Sequence, residues 1–421
     1  GDRGVSIVGV PGYQETAAGW IPTDWSALPL GAIASVRKDR GVAKQGVRCV
    51  ELEHVEPETG RLLGWDSSGV QASIKTTFKR GDVLFGKLRP YLRKYAIAPF
   101  DGICSTEILA IHDRDGQSDN RFLFHLTPGD GVFATVKALS YGTKMPRVSW
   151  TDLSDIVLGI PPLPEQQEIA TILSAADDKL AVIARQIEAT QALKRGLMHT
   201  LFSRGVGTLD TGGRWVPHAE FKDTELGEIP AGWEVVPQGS VATFFNGRAY
   251  KLTEWEETGT PVIRLQNLTG SGDKYYYSNL VLPDHQYVEK GDLLYMWSAT
   301  FGPYIWWGDK AIYHYHIWKV ECGERLHQGF MYYSLVRLTA AMKGKTHGST
   351  MMHLTKAGME KNPLVLPPIG EQMRIAEVLS GVDSKIELLR TRQSHFRTLK
   401  RGLMQKLLTG EWRVSLDAIA T

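Results

Sequence analysis

The sequence predicts an α+β protein: two similar mixed α/β domains, each followed by one long helix, with the two helices pairing. Three observations carry this. The segment PPLPEQQEIATILSAADDKL begins at Pro161 and returns as PPIGEQMRIAEVLSGVDSKI from Pro367; both run on without a gap into LKRGLM, at 193–198 and 399–404. The segment TAAGWIPTDWSALPLG begins at Thr16 and returns as TELGEIPAGWEVVPQG from Thr224. Between these repeats lie short β-branched and aromatic runs broken by Gly, Pro and Asp turns. A repeat this long means two copies of one unit.

The first globular part covers 20–155, with strand-like runs at 83–85 and 108–111 and a helix around 119–126. The second covers 228–360, with strand-like runs at 262–265, 293–297 and 312–320 and a helix around 328–342. Local matches tie them together. Gly81-Asp82-Val83-Leu84-Phe85 parallels Gly291-Asp292-Leu293-Leu294-Tyr295, and Gly142-Thr143-Lys144-Met145 parallels Gly348-Ser349-Thr350-Met351.

In the first helix the apolar positions Ile169, Leu173, Ala176, Leu180, Ile183 and Ile187 step alternately by four and three, the seam of a coiled coil. Leu193, Leu197 and Leu201 continue it. The second copy supplies Ile375, Leu379, Val382, Ile386 and Leu389, then Phe396, Leu399, Leu403 and Leu407. Prolines at 161, 162 and 164, and at 363, 367 and 368, fix where each helix starts. Each helix has room for about 40 residues, or roughly 60 Å. Gly196 and Gly402 fall inside the two helices, where glycine costs about 1 kcal/mol relative to alanine. Their recurrence predicts a close approach or a bend. The helical parts match each other better than the globular parts do, so the helices are expected to pair and to present a surface to a partner.

A composition of 43% hydrophobic and 22% charged residues excludes a disordered chain. The net charge of +2 leaves room for a local basic face but signals no bulk affinity for nucleic acid. Three widely spaced cysteines, Cys49, Cys104 and Cys322, read as free thiols of a reducing compartment. No membrane-length apolar run and no signal peptide are seen, so a cytoplasmic protein is expected.

Basic and aromatic residues cluster at equivalent places in both globular parts. In the first, Lys87, Arg89, Tyr91 and Arg93 follow a strand directly, and Tyr141, Lys144 and Arg147 form a second group. In the second, the corresponding places hold Ser298, Thr300 and Tyr304, then Lys343, Lys345, His347 and Ser349. Lys and Arg on loops neutralise phosphates, whereas Ser, Thr and Arg read base edges. These residues are the candidate DNA contacts.

Catalytic signals fail one by one. Gly344-Lys345-Thr346 resembles the end of a phosphate-binding loop, but position 339 is Thr where that loop needs Gly. Asn362-Pro363-Leu364 lacks the second proline and the aromatic residue of an amino-methyltransferase motif, and Pro283-Asp284 with Glu289-Lys290 lacks nuclease spacing. His314-Tyr315-His316 is expected to put two imidazoles on one face of a strand, too few ligands for a metal. The chain is expected to recognise rather than react.

Together these residues resemble the DNA-specificity subunit of type I restriction–modification enzymes, over nearly the whole chain. The two PPxxEQxxIAxxLSxxDxK segments with their LKRGLM ends look like the family's helical spacers, and the IPxxWxxxPxG openings at Ile21 and Ile229 like the starts of its two target-recognition domains. The resemblance implies target-recognition domains at 1–160 and 206–366, spacer helices at 161–205 and 367–412, and a tail at 413–421. It implies a subunit without activity of its own, each domain reading one half of a bipartite, asymmetric target in double-stranded DNA. The spacer helices would pack antiparallel as a coiled coil, set the gap between half-targets and dock two methyltransferase subunits. The residues expected to pair the helices or dock the partner are Ile169, Leu173, Leu180, Ile183, Ile187, Leu197, Ile375, Leu379, Ile386, Leu389, Phe396 and Leu403. Restriction motor-nuclease subunits would join that complex. No cofactor is expected in this chain; S-adenosylmethionine would belong to the methyltransferase partner. A specificity subunit of a related system that cuts on both sides of its target, and a tandem-domain protein-binding adaptor, stay open as alternatives.

Overall fold

A computed structural model describes residues 11–42, 46–67, 74–139, 146–298, 300–345 and 354–414, the side chains of Val42, Leu139 and Lys345 excepted. The chain divides into two compact units, Gly1–Arg185 with Thr391–Thr421, and Gln186–Arg390. Two long helices, Leu163–Ser203 and Ile369–Leu408, run through both.

In the first unit a hairpin pairs Tyr13–Thr16 with Gly19–Pro22. The strand Ser26–Pro29 then pairs with Val157–Ile160, which leads into the first long helix. Between them lie two sheets. One is antiparallel, in the order Tyr95–Ile97, Val83–Gly86, Ile108–Asp113, Ala34–Val36. The other has five strands, with Gly102–Cys104 parallel to Arg48–Val50. Successive side chains of a strand point to opposite faces. Val83 and Phe85 accordingly enter the larger core with Trp25 and Phe122, while Leu84 enters a smaller core with Val50, Phe78 and Cys104. This explains a strand buried at every position.

The second unit repeats the plan. A hairpin pairs Phe221–Thr224 with Gly227–Pro230, and Glu234–Pro237 pairs with Pro363–Leu366 ahead of the second helix. The antiparallel sheet runs Gly302–Ile305, Leu293–Met296, Ile317–Cys322, Ala242–Asn246, in the same order as its counterpart. Again Leu293 and Tyr295 face one core while Leu294 and Met296 face another. The duplication seen in the sequence is a duplication of topology.

The expected helix around 119–126 is found as Asn120–Leu126, capped by the Asp119 carboxylate. The helix around 328–342 is found as Gln328–Lys345.

The two long helices span 41 and 40 residues. In the first unit Ile169, Ala170 and Leu173 enter the larger core alongside Leu407, so the beginning of the first helix packs on its own globular part. Lys400 Nζ donates to Asp177 Oδ1 at 2.6 Å, and Arg413 Nε to Glu165 Oε1 at 2.8 Å. One residue number rises as its partner's falls, so these segments run antiparallel. In the second unit Ile375 and Leu379 are buried beside Leu201 and Phe202. Lys194 Nζ donates to Asp383 Oδ1 at 2.6 Å, and Glu371 Oε1 accepts from Val206 N at 2.9 Å, again antiparallel. Asp177 and Asp383 are equivalent residues of the repeat, as are Lys400 and Lys194.

Among the seam positions Ile169, Leu173, Ile183, Ile375, Leu379, Ile386 and Leu389 are buried. Leu180, Ile187, Leu197, Phe396 and Leu403 are half-buried. Two expectations need correction. Leu193 and Leu399 are 55% and 53% exposed, because the next residue, Lys194 or Lys400, turns towards the aspartate instead. A Cβ built on Gly196 or Gly402 meets nothing within 4 Å, so neither glycine marks a close approach. The three thiols are unpaired, and burial pushes Cys49 up to about 11. Among the described residues no helix is long and apolar enough to cross a membrane.

Candidate nucleic-acid interface

In the first unit the strand Val83–Gly86 ends in the turn Pro90–Leu92, flanked by Arg89 at φ 48° and Arg93 at φ 47°. Left-handed backbone at a non-glycine residue costs on the order of 1–3 kcal/mol and concentrates at functional sites. The neighbouring segment closes onto this turn: Arg89 N donates to Pro146 O at 2.9 Å and Val148 N to Lys87 O at 3.1 Å, with Leu88 bridged to Arg147. The two basic groups of the first domain therefore meet wherever both are described. Arg89, Tyr91 and Arg147 are exposed and Lys87 is half-buried. Arg147 Nε lies 3.1 Å from Glu107 Oε2. Arg93 is committed elsewhere: its guanidinium sits 3.8 Å from the Phe133 ring centroid and pairs with Asp130 at 3.2 Å. Tyr141 and Lys144 lie outside the described residues.

In the second unit Ser298 and Thr300 lie on the loop between Leu293–Met296 and Gly302–Ile305. Ser298 is half-buried and Thr300 exposed, while Tyr304 packs against the smaller core. The helix Gln328–Lys345 approaches this loop. Tyr295 Oη and Thr339 Oγ1 are 3.0 Å apart, and a Cβ on Gly302 would meet Thr339 Cγ2 at 4.0 Å. Lys343, one turn further on, is exposed. The side chain of Lys345 and all of His347 and Ser349 lie outside the described residues.

His314-Tyr315-His316 forms a turn between Ala311–Tyr313 and Ile317–Cys322, not a strand, which corrects the expectation from sequence. The turn is held by Tyr315 N to Arg248 O at 3.1 Å and Ile317 N to His314 O at 3.0 Å. The Trp297 indole donates to Tyr315 O at 2.8 Å and stacks on Trp318 at 5.8 Å. Burial, then His316 and Arg264, holds His314 down at about 4; burial, then Arg264, lowers His316. Both imidazoles are neutral at pH 7 and retain one donor and one acceptor each.

Sequence reading missed the flank of this turn. Arg248 lies 5.1 Å from the Tyr250 ring, and Arg264 5.2 Å from the Tyr276 ring. Trp255 bridges the two rings, at 5.4 Å from Tyr250 and 4.8 Å from Tyr276. The signal was present only as isolated Arg and Tyr residues. Among the described residues one cluster has metal-ligand chemistry, Glu53, His54 and Asp66. His54 Nδ1 there already accepts Glu51 N at 2.9 Å.

The family model described as the type I restriction modification DNA specificity domain matches residues 64–191 and 230–395, more than half of the sequence. The chain belongs to this family. It is a specificity subunit of a type I restriction–modification system, a recognition chain rather than an enzyme. This specificity subunit is 27% identical over 392 residues to the type I restriction enzyme MjaVIII specificity subunit of Methanocaldococcus jannaschii, covering 89% of this chain and 84% of that one. It is 28% identical over 189 residues to the EcoDI specificity subunit of Escherichia coli, covering 44% and 42%. Its fold matches that of the S subunit from M. genitalium, at a TM-score of 0.53 and 18% identity, over 91% of this chain and 96% of the other. It also matches a chain solved in a study of complex assembly and conformational transition of the type I system, at a TM-score of 0.57 and 18% identity, over 93% and 99%.

Proposed function

We infer that this specificity subunit reads a bipartite, asymmetric target in double-stranded DNA, one half with each mixed domain. The observation that carries this is a shared scaffold with unlike loops. The antiparallel sheet has the same strand order in both units, yet the loop after Val83–Gly86 carries Lys87, Arg89 and Tyr91 where its counterpart carries Trp297, Ser298 and Thr300. One scaffold bearing two different reading loops fits two different half-sequences. The assignment places target-recognition domains at 1–160 and 206–366, spacer helices at 161–205 and 367–412, and a tail at 413–421.

Lys87, Arg89, Tyr91, Arg147, Ser298, Thr300 and Lys343 are the proposed contacts among the described residues. Cations there neutralise phosphates and hydroxyls reach base edges. The spacer helices set the gap between half-targets and dock two methyltransferase subunits, and the motor-nuclease subunits join that assembly. The experiment is co-purification with the cognate methyltransferase, followed by genome-wide mapping of methylated bases. One motif made of two dissimilar half-sequences around a fixed gap is expected. A single uninterrupted motif, or modification by the methyltransferase alone, overturns the assignment.

A further inference from the structure

We propose that Arg264 reads a guanine in the half-target of the second domain. This rests on the DNA-reading role given to that domain and names one of its specificity-determining residues.

The backbone at Arg264 is fixed from both sides. Its N–H donates to Asn267 Oδ1 at 2.9 Å, and the preceding carbonyl, Ile263 O, accepts from His314 N at 2.9 Å. The guanidinium is half-buried over the Tyr276 ring, 5.2 Å from its centroid, and Lys274 Nζ lies 5.7 Å from the same centroid. A guanidinium held over an aromatic ring is ordered by it while its N–H donors stay available to a partner.

Among the described residues those donors have no hydrogen-bond acceptor. Among the described residues no carboxylate lies within 4.0 Å of Arg264. Arg248, on the same patch, is the contrast: its two terminal nitrogens donate to Glu254 at 2.9 and 2.6 Å. Arg37 likewise spends Nε and Nη2 on Asp82 at 2.8 and 2.9 Å. Of the two arginines on this aromatic patch, Arg264 keeps its N–H edge free of any described partner, whereas Arg248 spends its own on Glu254. The neighbouring imidazoles, whose pKa values burial lowers, add no second cation for a phosphate at neutral pH.

A rigid planar fork matches the O6 and N7 acceptors of guanine in the major groove, the commonest specific arginine contact. The same fork also fits a phosphate, but Lys274 on the same ring already supplies a point charge for the backbone, which leaves Arg264 for the base edge. Preorganisation by Tyr276 also lowers the side-chain entropy lost on binding.

The test uses the full chain and a randomised double-stranded DNA library. The wild-type chain should enrich two separated half-sequences. R264K keeps the charge but loses the fork; it should enrich the same sequences with one guanine relaxed, in one half only, by about 10- to 100-fold. With the selected duplex, 7-deazaguanine placed at that position should weaken the wild-type chain by a comparable factor and leave R264A unaffected. That second measurement works on the wild-type protein and does not depend on R264K folding. Three outcomes overturn the inference: a half-target without a guanine, R264K with an unchanged motif and a uniformly lower affinity, or a 7-deazaguanine penalty that R264A retains. A wild-type chain that enriches no sequence overturns the DNA-reading role itself.

Discussion

The indole of Trp25 donates to Glu165 Oε2 at 3.0 Å, joining the IPxxW opening of the first domain to the start of the first long helix. Trp233 and Glu371 make the same bond at 2.7 Å in the second unit. The two motifs that recur in both halves of the sequence are thus the two ends of one contact. The next residue adds to it: the amide of Gln166 donates to Pro161 O at 3.0 Å, and that of Gln372 to Pro367 O at 2.7 Å. The PP and EQ of the motif lock the first helical turn to the strand before it.

The surroundings of the two glutamates differ, and stability should follow. Glu371 Oε1 also accepts from Val206 N at 2.9 Å and Gly207 N at 3.1 Å, and lies 2.9 Å from His218 Nε2. Gly205 must be glycine here: its φ is +69°, and a Cβ would run into that same carboxylate oxygen. Glu165 instead binds Arg413, which holds Asp24 as well and so keeps a partner if Glu165 is lost. A buried donor left without an acceptor costs roughly 1–3 kcal/mol. Glu371→Ala should therefore destabilise by several times that unit, and by more than Glu165→Ala. Urea unfolding checks the order, and a Glu165→Ala at least as destabilising as Glu371→Ala contradicts it.

The paired helix segments of the second unit are tied by Lys194 and Asp383, with Tyr333 Oη donating to the second Asp383 oxygen at 2.8 Å. Asp383→Lys sets two ammonium groups against each other and strands the tyrosine. It should cost about 2 kcal/mol, between the values of an exposed and of a buried pair. Combining it with Lys194→Asp should restore about 1 kcal/mol or more of that loss. A double-mutant cycle with no coupling would mean that the pair does not hold these segments together.

His125 makes the first unit sensitive to acid. It is 1% exposed, and burial, aided by Lys400 and Arg121, pushes its pKa down to about 3. In the unfolded chain it titrates near 6.5. Between these values the unfolded chain holds a proton that the folded one does not. The contribution is therefore complete above about pH 6.5 and is lost as pH falls towards the folded value; with Asp177 Oδ2 3.8 Å from Nδ1 easing protonation, the loss reaches at most about 2 kcal/mol at pH 5. Asp177, whose pKa burial raises, works in the opposite sense at the acid end of this window. Unfolding free energies at pH 7.5, 6 and 5 should fall for the wild type and fall less for His125→Phe. Parallel curves would remove His125 as the cause.

The helices were legible in the sequence because proline fixes their starts and an apolar period repeats along them. Their charged contacts were not. A single Glu165 or Lys400 in an amphipathic helix reads as solvated face, and its burial is decided by residues far along the chain. The same period misassigned Leu399, because nothing local says that Lys400 points inward. The His314–His316 turn was hidden by a β-branched and aromatic run from 312 to 320 without Gly or Pro to break it. Arg264 carries no local motif. Only folding brings Tyr276 under it and the imidazoles beside it.

The gap between half-targets should follow the length of the two long helices. The chain passes between the two units twice, at 185–186 in the first long helix and at 390–391 in the second. Lengthening one crossing alone leaves the other at its original length, so a matched pair of insertions is required. Four residues added at both places make about 1.1 helical turns and about 6 Å, which keeps the apolar seam roughly in phase. B-DNA rises about 3.4 Å per base pair, so 6 Å along the duplex is nearly two base pairs. The double insertion should leave both half-sequences intact and widen the gap by on the order of one to two base pairs, as read from the methylated motif of the assembled enzyme. An insertion in the first helix alone should reduce activity, because the second crossing still has its old length. An active double insertion with an unchanged gap would show that the helices do not set the spacing, and an altered half-sequence would show that they take part in reading it.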